Sequence, residues 1–151
     1  MNQMLSRSLR TAMLTGVMLS TTQGSALAQS VPSIELGSTA SLDAHALITV
    51  PVTFTCPEDT VLSNILVDVT QAYGPNIAHG SGGRFDTPSQ PDPELICDGT
   101  PHTVNVGVVL SLDSSGSFHG GSIVASASIT ACPPSFDCLT GTDGPTVLRI
   151  H

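Results

Sequence analysis

The chain has no lysine and no tryptophan, and among its 151 residues only one tyrosine and four phenylalanines. Each shortage closes off a class of function. Nucleic-acid binding depends on clustered cations that neutralise phosphates and release counterions, and anionic membrane surfaces ask for the same. Only Arg7, Arg10, Arg84 and Arg149 supply permanent positive charge, against twelve acids. Neither nucleic acid nor a membrane surface is expected as a partner. Saccharide-binding sandwiches stack sugar rings on tryptophan or tyrosine, so a sugar platform is not expected either. No stretch reaches the roughly 20 apolar residues that a membrane-spanning helix needs. Helical periodicity, internal repeats, Cys-x-x-Cys and Gly-x-Ser-x-Gly are all absent.

What is present begins with the cysteines, which avoid the first 55 residues and then fall at Cys56, Cys97, Cys132 and Cys138. Upstream of them, Arg7 and Arg10 precede an uncharged run over 11–20 and a polar stretch ending in Ala26-Leu27-Ala28. Those are the three parts of a secretory signal peptide, cut after Ala28. Removing 28 of 151 residues leaves 123, the segment 29–151, which is enough for one domain and too few for two. Two arginines leave with the export segment, so the secreted chain sets two cations against twelve acids, a formal charge of −10. Solubility and resistance to nonspecific association account for that excess.

Along the segment 29–151 the hydrophobic period is two, in short stretches separated by glycine, proline, serine and aspartate. A first strand is expected near Ser33 and Leu36. Over 48–56, Ile48, Val50, Val52, Phe54 and Cys56 share one face, and Pro51, which cannot donate to a ladder, places this strand near an edge or a bulge. Over 61–69, Val61, Ile65, Val67 and Val69 form an apolar face interrupted by Ser63. The segment 74–93, rich in glycine and proline, reads as a loop-rich insertion with at most a short edge strand. Arg84 is the one cation there able to pin it to an acid. Val104, Val106, Val108 and Leu110 alternate, then Ile123, Ala125, Ala127, Ile129 and Ala131, then Val147 with Leu148 or Ile150. About seven strands result, which fits an all-β, immunoglobulin-like antiparallel β-sandwich.

Four cysteines allow three pairings. In an up-and-down order of strands, Cys56, Cys97 and the Cys132 to Cys138 turn all fall at one end, which favours Cys56 with Cys97 and Cys132 with Cys138. On the loop-entropy account the longer bridge is worth about 4 kcal/mol and the shorter about 2. Stabilisation in an oxidising compartment, rather than redox or metal chemistry, is the expected role.

The immunoglobulin likeness is one of architecture. There is no tryptophan, and Thr130 stands two residues before Cys132, where a corner tyrosine would be. Three stretches, Val50-Pro51-Val52-Thr53-Phe54-Thr55-Cys56-Pro57, Cys97-Asp98-Gly99-Thr100-Pro101-His102-Thr103-Val104, and Phe118-His119-Gly120-Gly121 leading to Val124-Ala125-Ser126-Ala127-Ser128-Ile129-Thr130-Ala131-Cys132, carry a further resemblance. Over 48–150 the chain resembles small secreted domains of a family of unknown function common in high-GC Gram-positive bacteria. That resemblance implies no activity, cofactor or site residue.

His45, His79, His102, His119 and His151 are the imidazoles, and no two have ligand spacing. A copper or zinc site would have to be assembled by tertiary structure, and surface or strand-end histidines are the plainer reading, with His102 beginning a strand. The glycine runs His79-Gly80-Ser81-Gly82-Gly83 and His119-Gly120-Gly121-Ser122 read as turns and a strand start rather than hydrolase loops. Asp98-Gly99, Asp113-Ser114-Ser115-Gly116 and Asp143-Gly144 read as turns rather than calcium loops, although Glu58, Asp59, Asp98 and Asp137 fall at the disulfide end and leave a weak calcium site as an alternative. Phe54 and Phe118 are expected in the core. Phe136 and Asp137, at the tip of a disulfide-closed loop, are the candidate binding residues. The sequence therefore points to a secreted, noncatalytic module without catalytic or cofactor residues, recognising an extracellular partner through its disulfide end, with a metal-binding protein as the alternative.

Overall fold

Strict alternation in Leu47–Thr55 builds the clearest element of the molecule, with Ile48, Val50, Val52 and Phe54 all 1% exposed or less. The computed structural model describes residues 31–87, 89–135 and 137–151. The expected export segment and Phe136 lie outside the described residues. Eight strands follow in order: β1 (Ser33–Leu36), β2 (Thr39–Ala44), β3 (Leu47–Thr55), β4 (Val61–Tyr73), β5 (Asn76–Phe85), β6 (His102–Leu110), β7 (Gly121–Cys132) and β8 (Leu139–Ile150). No helix occurs among the described residues.

The all-β class stands, but two separate antiparallel sheets do not describe the strand pairing. Seven strands close a ring, β3-β2-β8-β7-β4-β5-β6 and back to β3, with β1 added alongside β3. Two thick walls make up the ring. In one, β3 pairs with β6 from Leu47 and Val109 to Phe54 and His102; in the other, β4 pairs along its length with β5 and with β7, which pairs with β8. Thin seams join the walls. β5 meets β6 only through Gly80 with Leu110 and Ser81 with Val109, and β2 meets β8, in parallel, only through Thr39 with Arg149 and Ala40 with Ile150.

Four local readings change with the structure. Pro51 lies inside a strand paired on both edges and without a bulge, opposite Asn105. Its carbonyl accepts from Gly37 N at 2.9 Å, in the break between β1 and β2. In an antiparallel strand the amide and carbonyl of one residue face the same edge, so the donor that proline lacks falls where the neighbouring strand is interrupted. In β4 a bulge between Leu62 and Asn64 reverses the faces, burying Leu62 and leaving Val61 62% exposed.

The segment 74–93 is largely not a loop. Gly74, with φ of 59°, and Pro75 form a two-residue hairpin turn, and β5 then pairs with β4 for ten residues. Its glycines permit close approach rather than breaking the strand. A Cβ on Gly82 would lie 2.0 Å from the Gly107 carbonyl oxygen, and one on Gly80 would lie 2.4 Å from that of Val109. Asp143-Gly144 is likewise no turn between elements, but a bulge within β8 opposite Ala125 and Ala127. There Asp143 accepts from Leu36 N at 2.8 Å.

The ring interior is one buried cluster, supplied by alternate residues of every strand. Val67, Val106, Ile129 and Leu148 are fully buried, each such side chain contributing about 1.5–3 kcal/mol. Three core members lie outside the strands, Cys56 just past β3 and, within longer loops, Leu95 from 86–101 and Phe118 from 111–120. The last two lie at opposite ends of the ring.

Candidate functional site

The register places both disulfides at one end. β3 ends at Thr55, β4 begins at Val61 opposite Cys132, β5 ends at Phe85 opposite Asn64, and β6 begins at His102 opposite Phe54. The loops 56–60, 86–101 and 133–138 therefore share that end. Cys56 is bonded to Cys97 across a separation of 41 residues, tying the end of β3 to the approach to β6. Cys132 is bonded to Cys138, closing the β7 to β8 loop across 6. Asp137 is exposed in that loop.

An ion cluster holds the longest loop. Arg84 donates from Nε and Nη2 to the two carboxylate oxygens of Asp92, both at 2.7 Å. Its Nη1 lies 2.8 Å from Glu94 and donates to the Asn105 carbonyl at 3.3 Å. The Asp92 hydrogen bond is the largest influence raising the Arg84 pKa, and burial works against it. At Asp92 burial pushes the carboxyl upward, but the Arg84 hydrogen bond, the Glu94 amide and the Arg84 charge together bring it below its ordinary value. A bidentate fork of this kind fixes geometry as well as charge. Arg84 thus spans the gap where β5 and β6 have ceased to pair.

Nearby, Asp98 accepts from the Thr100 amide at 2.9 Å and from its hydroxyl at 2.6 Å, and lies 2.8 Å from His102 Nε2. The Thr100 hydroxyl above all, then His102, holds its carboxyl down at about 2. Gly99, with φ of 76°, completes that bend. The Asp98 carboxylate is committed to the turn, as the plainer reading of Asp98-Gly99 anticipated.

Exposed apolar side chains surround these loops. Phe85 is 57% exposed, Ile96 48% and Val61 62%. Phe85 stands between two shallow hollows, one of about 330 Å³ lined by Arg84, Gln90 and Asp92, the other of about 450 Å³ lined by Leu66, Asp68 and Ser81. The sequence reading missed Phe85 because it assigned the residue to a loop; as a strand residue opposite Asn64, its outward direction follows from the register.

The opposite end carries the turn 45–46, the turn 74–75, the loop 111–120 and the C-terminus. His45, His79, His119 and His151 all lie there, and only His102 lies at the disulfide end. Hydrogen bonds organise this end. Buried Gln71 accepts from His119 N at 2.9 Å and donates to the His119 and Ser122 carbonyls at 2.9 and 3.4 Å. Phe118 N donates to the His45 carbonyl at 2.9 Å, while His45 Nδ1 lies 3.3 Å from the Phe118 carbonyl. The His45 and His119 rings are 5.8 Å apart, and Tyr73 lies 4.9 Å from His119.

One grouping has the residue types of a hydrolase. His79 Nε2 is 2.8 Å from Asp113, and Ser114 Oγ is 3.5 Å from His79 Nδ1. Yet the Ser114 hydroxyl donates to the His79 carbonyl at 2.9 Å and accepts from the His79 amide at 3.1 Å. With its proton and a lone pair both committed, it braces the loop against β5. His79-Gly80-Ser81-Gly82-Gly83 itself runs through β5, not through a turn.

Among the described residues, no group of three or more His, Cys, Asp or Glu side chains is arranged to hold a metal ion. No helix among them is long and apolar enough to cross a membrane, and the two disulfides suit an oxidising compartment. No family model and no curated protein sequence matches the chain. Among solved structures, that of murine CRIg is similar over 80% of this chain and 96% of that one, at 7% identity and a TM-score of 0.35. At that score nothing passes from CRIg to this chain.

Proposed function

We propose that this chain is a secreted, noncatalytic, immunoglobulin-like module that binds a basic extracellular protein through its disulfide end. The observation that carries this reading is the rigid presentation of Phe85. Two disulfides and the Arg84 fork fix the surrounding loops, so little ordering entropy remains to be lost on binding. Phe85, Ile96 and Val61 supply apolar contact area, and Glu58, Asp59, Asp86, Glu94 and Asp137 surround them with negative charge. A surface of that composition favours a partner with arginine or lysine around an apolar centre. Phe136, which lies outside the described residues, enters this reading from the sequence alone, between Cys132 and Cys138. The resemblance to small secreted bacterial domains agrees with export but adds no partner.

The test is affinity capture from the native extracellular fraction with the wild-type chain, Phe85→Ala with Ile96→Ala, Phe136→Ala, and Tyr73→Ala at the far end. The expected result is a basic partner retained by Tyr73→Ala and weakened by the disulfide-end variants. A partner that all the variants retain, or the lack of any saturable partner, overturns the reading.

A further inference from the structure

We infer that His45 and His119 form a two-imidazole site for a borderline divalent cation, copper(II) before zinc(II), at the end of the ring opposite the disulfides. The inference is independent of the proposed binding function. The two histidines are 74 positions apart in sequence, and tertiary structure alone brings their rings to a centroid separation of 5.8 Å with an interplanar angle of 54°. A metal–nitrogen bond of about 2.0–2.1 Å places two imidazoles on one ion with centroids roughly 4.5–6.3 Å apart, according to the angle between the bonds. The observed spacing falls in that interval.

The His45 ring has behind it the kind of acceptor that orients a metal-binding imidazole, and the His119 backbone is fixed. A carbonyl can only accept, so the contact between His45 Nδ1 and the Phe118 oxygen at 3.3 Å places the ring proton on Nδ1. That leaves Nε2 of the neutral ring with a free lone pair, the arrangement in which histidines bind metals. On the other side, buried Gln71 fixes the His119 backbone from both its amide and its carbonyl. The Tyr73 ring lies 4.9 Å from the His119 ring. The His119 Nε2 lies 3.4 Å from the Ser117 hydroxyl, which can donate to it or accept from it.

The donor set decides the ion. Two neutral nitrogens with no thiolate, since neither bridge leaves a free cysteine, suit copper, nickel or zinc rather than calcium or magnesium, and copper(II) binds such donors most strongly. Solvent would complete the coordination, since His45 is exposed and His119 partly so. The other end has no equivalent. His102, its one histidine, faces Asp98 and Thr100.

The test is titration of the disulfide-bonded chain, purified without an affinity tag, with copper(II) and then zinc(II), followed by calorimetry and electron paramagnetic resonance. The expected result is one copper(II) per chain with two imidazole nitrogens. His45→Asn, which keeps an N–H donor for the Phe118 carbonyl, and His119→Asn should each weaken binding by more than about tenfold, while His79→Ala and His102→Ala leave it unchanged. Melting curves without metal establish that each variant is folded, and copper should raise the melting temperature of the wild type, His79→Ala and His102→Ala but not of the two asparagine variants. Binding that survives both asparagine substitutions, or that falls equally with each histidine removed, overturns the inference.

Discussion

The two ends of this ring are built from the same strands yet held by different chemistry. At one end, two disulfides and an arginine fork fix long, acidic loops. At the other, a buried glutamine, a backbone bond from Phe118 N to the His45 carbonyl and the contact of the His45 ring with the Phe118 carbonyl do the same for histidine-bearing loops. A covalent bridge constrains the unfolded chain as well as the folded one, whereas a buried hydrogen bond counts only when the fold is present. The first end should therefore depend on redox state and the second on packing.

The largest expected effect comes from removing the long bridge. Cys56→Ala with Cys97→Ala should lower stability by about 4 kcal/mol, and Cys132→Ala with Cys138→Ala by about 2, in chemical denaturation. Equal losses from both pairs would break the loop-length account. Gln71→Leu comes next, at about 2 kcal/mol, because three backbone groups of His119 and Ser122 lose their partner. Hydrogen exchange should quicken at the His119 amide and stay unchanged at Gly99, whose amide donates to the Cys56 carbonyl. Quickening at both ends would mean that the two are not independent.

The smallest effect is electrostatic. Asp98 titrates at about 2 in the folded chain against an ordinary value of 3.8, so its contribution is complete above the unfolded value and is lost as pH falls from about 4 towards 2. Asp98→Asn should flatten the decline of the melting temperature across that interval. A slope identical to that of the wild type would show that the Thr100 and His102 contacts do not favour the carboxylate.

How much of this was legible in the chain depends on whether a residue speaks for its own position. The faces of β3, β6 and β7 follow from alternation, and the cysteine positions already favoured the bridges that form. The β5 strand was hidden because glycine serves both as a breaker and as a residue of close contact. Only the neighbouring Gly107 carbonyl, 25 positions beyond Gly82 in sequence, distinguishes the two roles. Closure into a ring was hidden for a related reason, since each seam consists of two residue pairs that no periodicity announces. The meeting of His45 with His119 depends on that closure and left no trace in spacing. Phe85 became visible as an outward residue only once β5 had a register.

Ring closure also bears on how this chain avoids its own kind. Sheet proteins commonly guard an open edge with lysine, whose charge repels an incoming strand, and this chain has none. Each strand of the ring instead has neighbours on both sides over part of its length. The short β1, which pairs only with β3, has its Leu36 amide occupied by the Asp143 carboxylate. Crowded together, copies of this protein would offer one another little backbone to pair with, and strand-by-strand aggregation would have few places to begin.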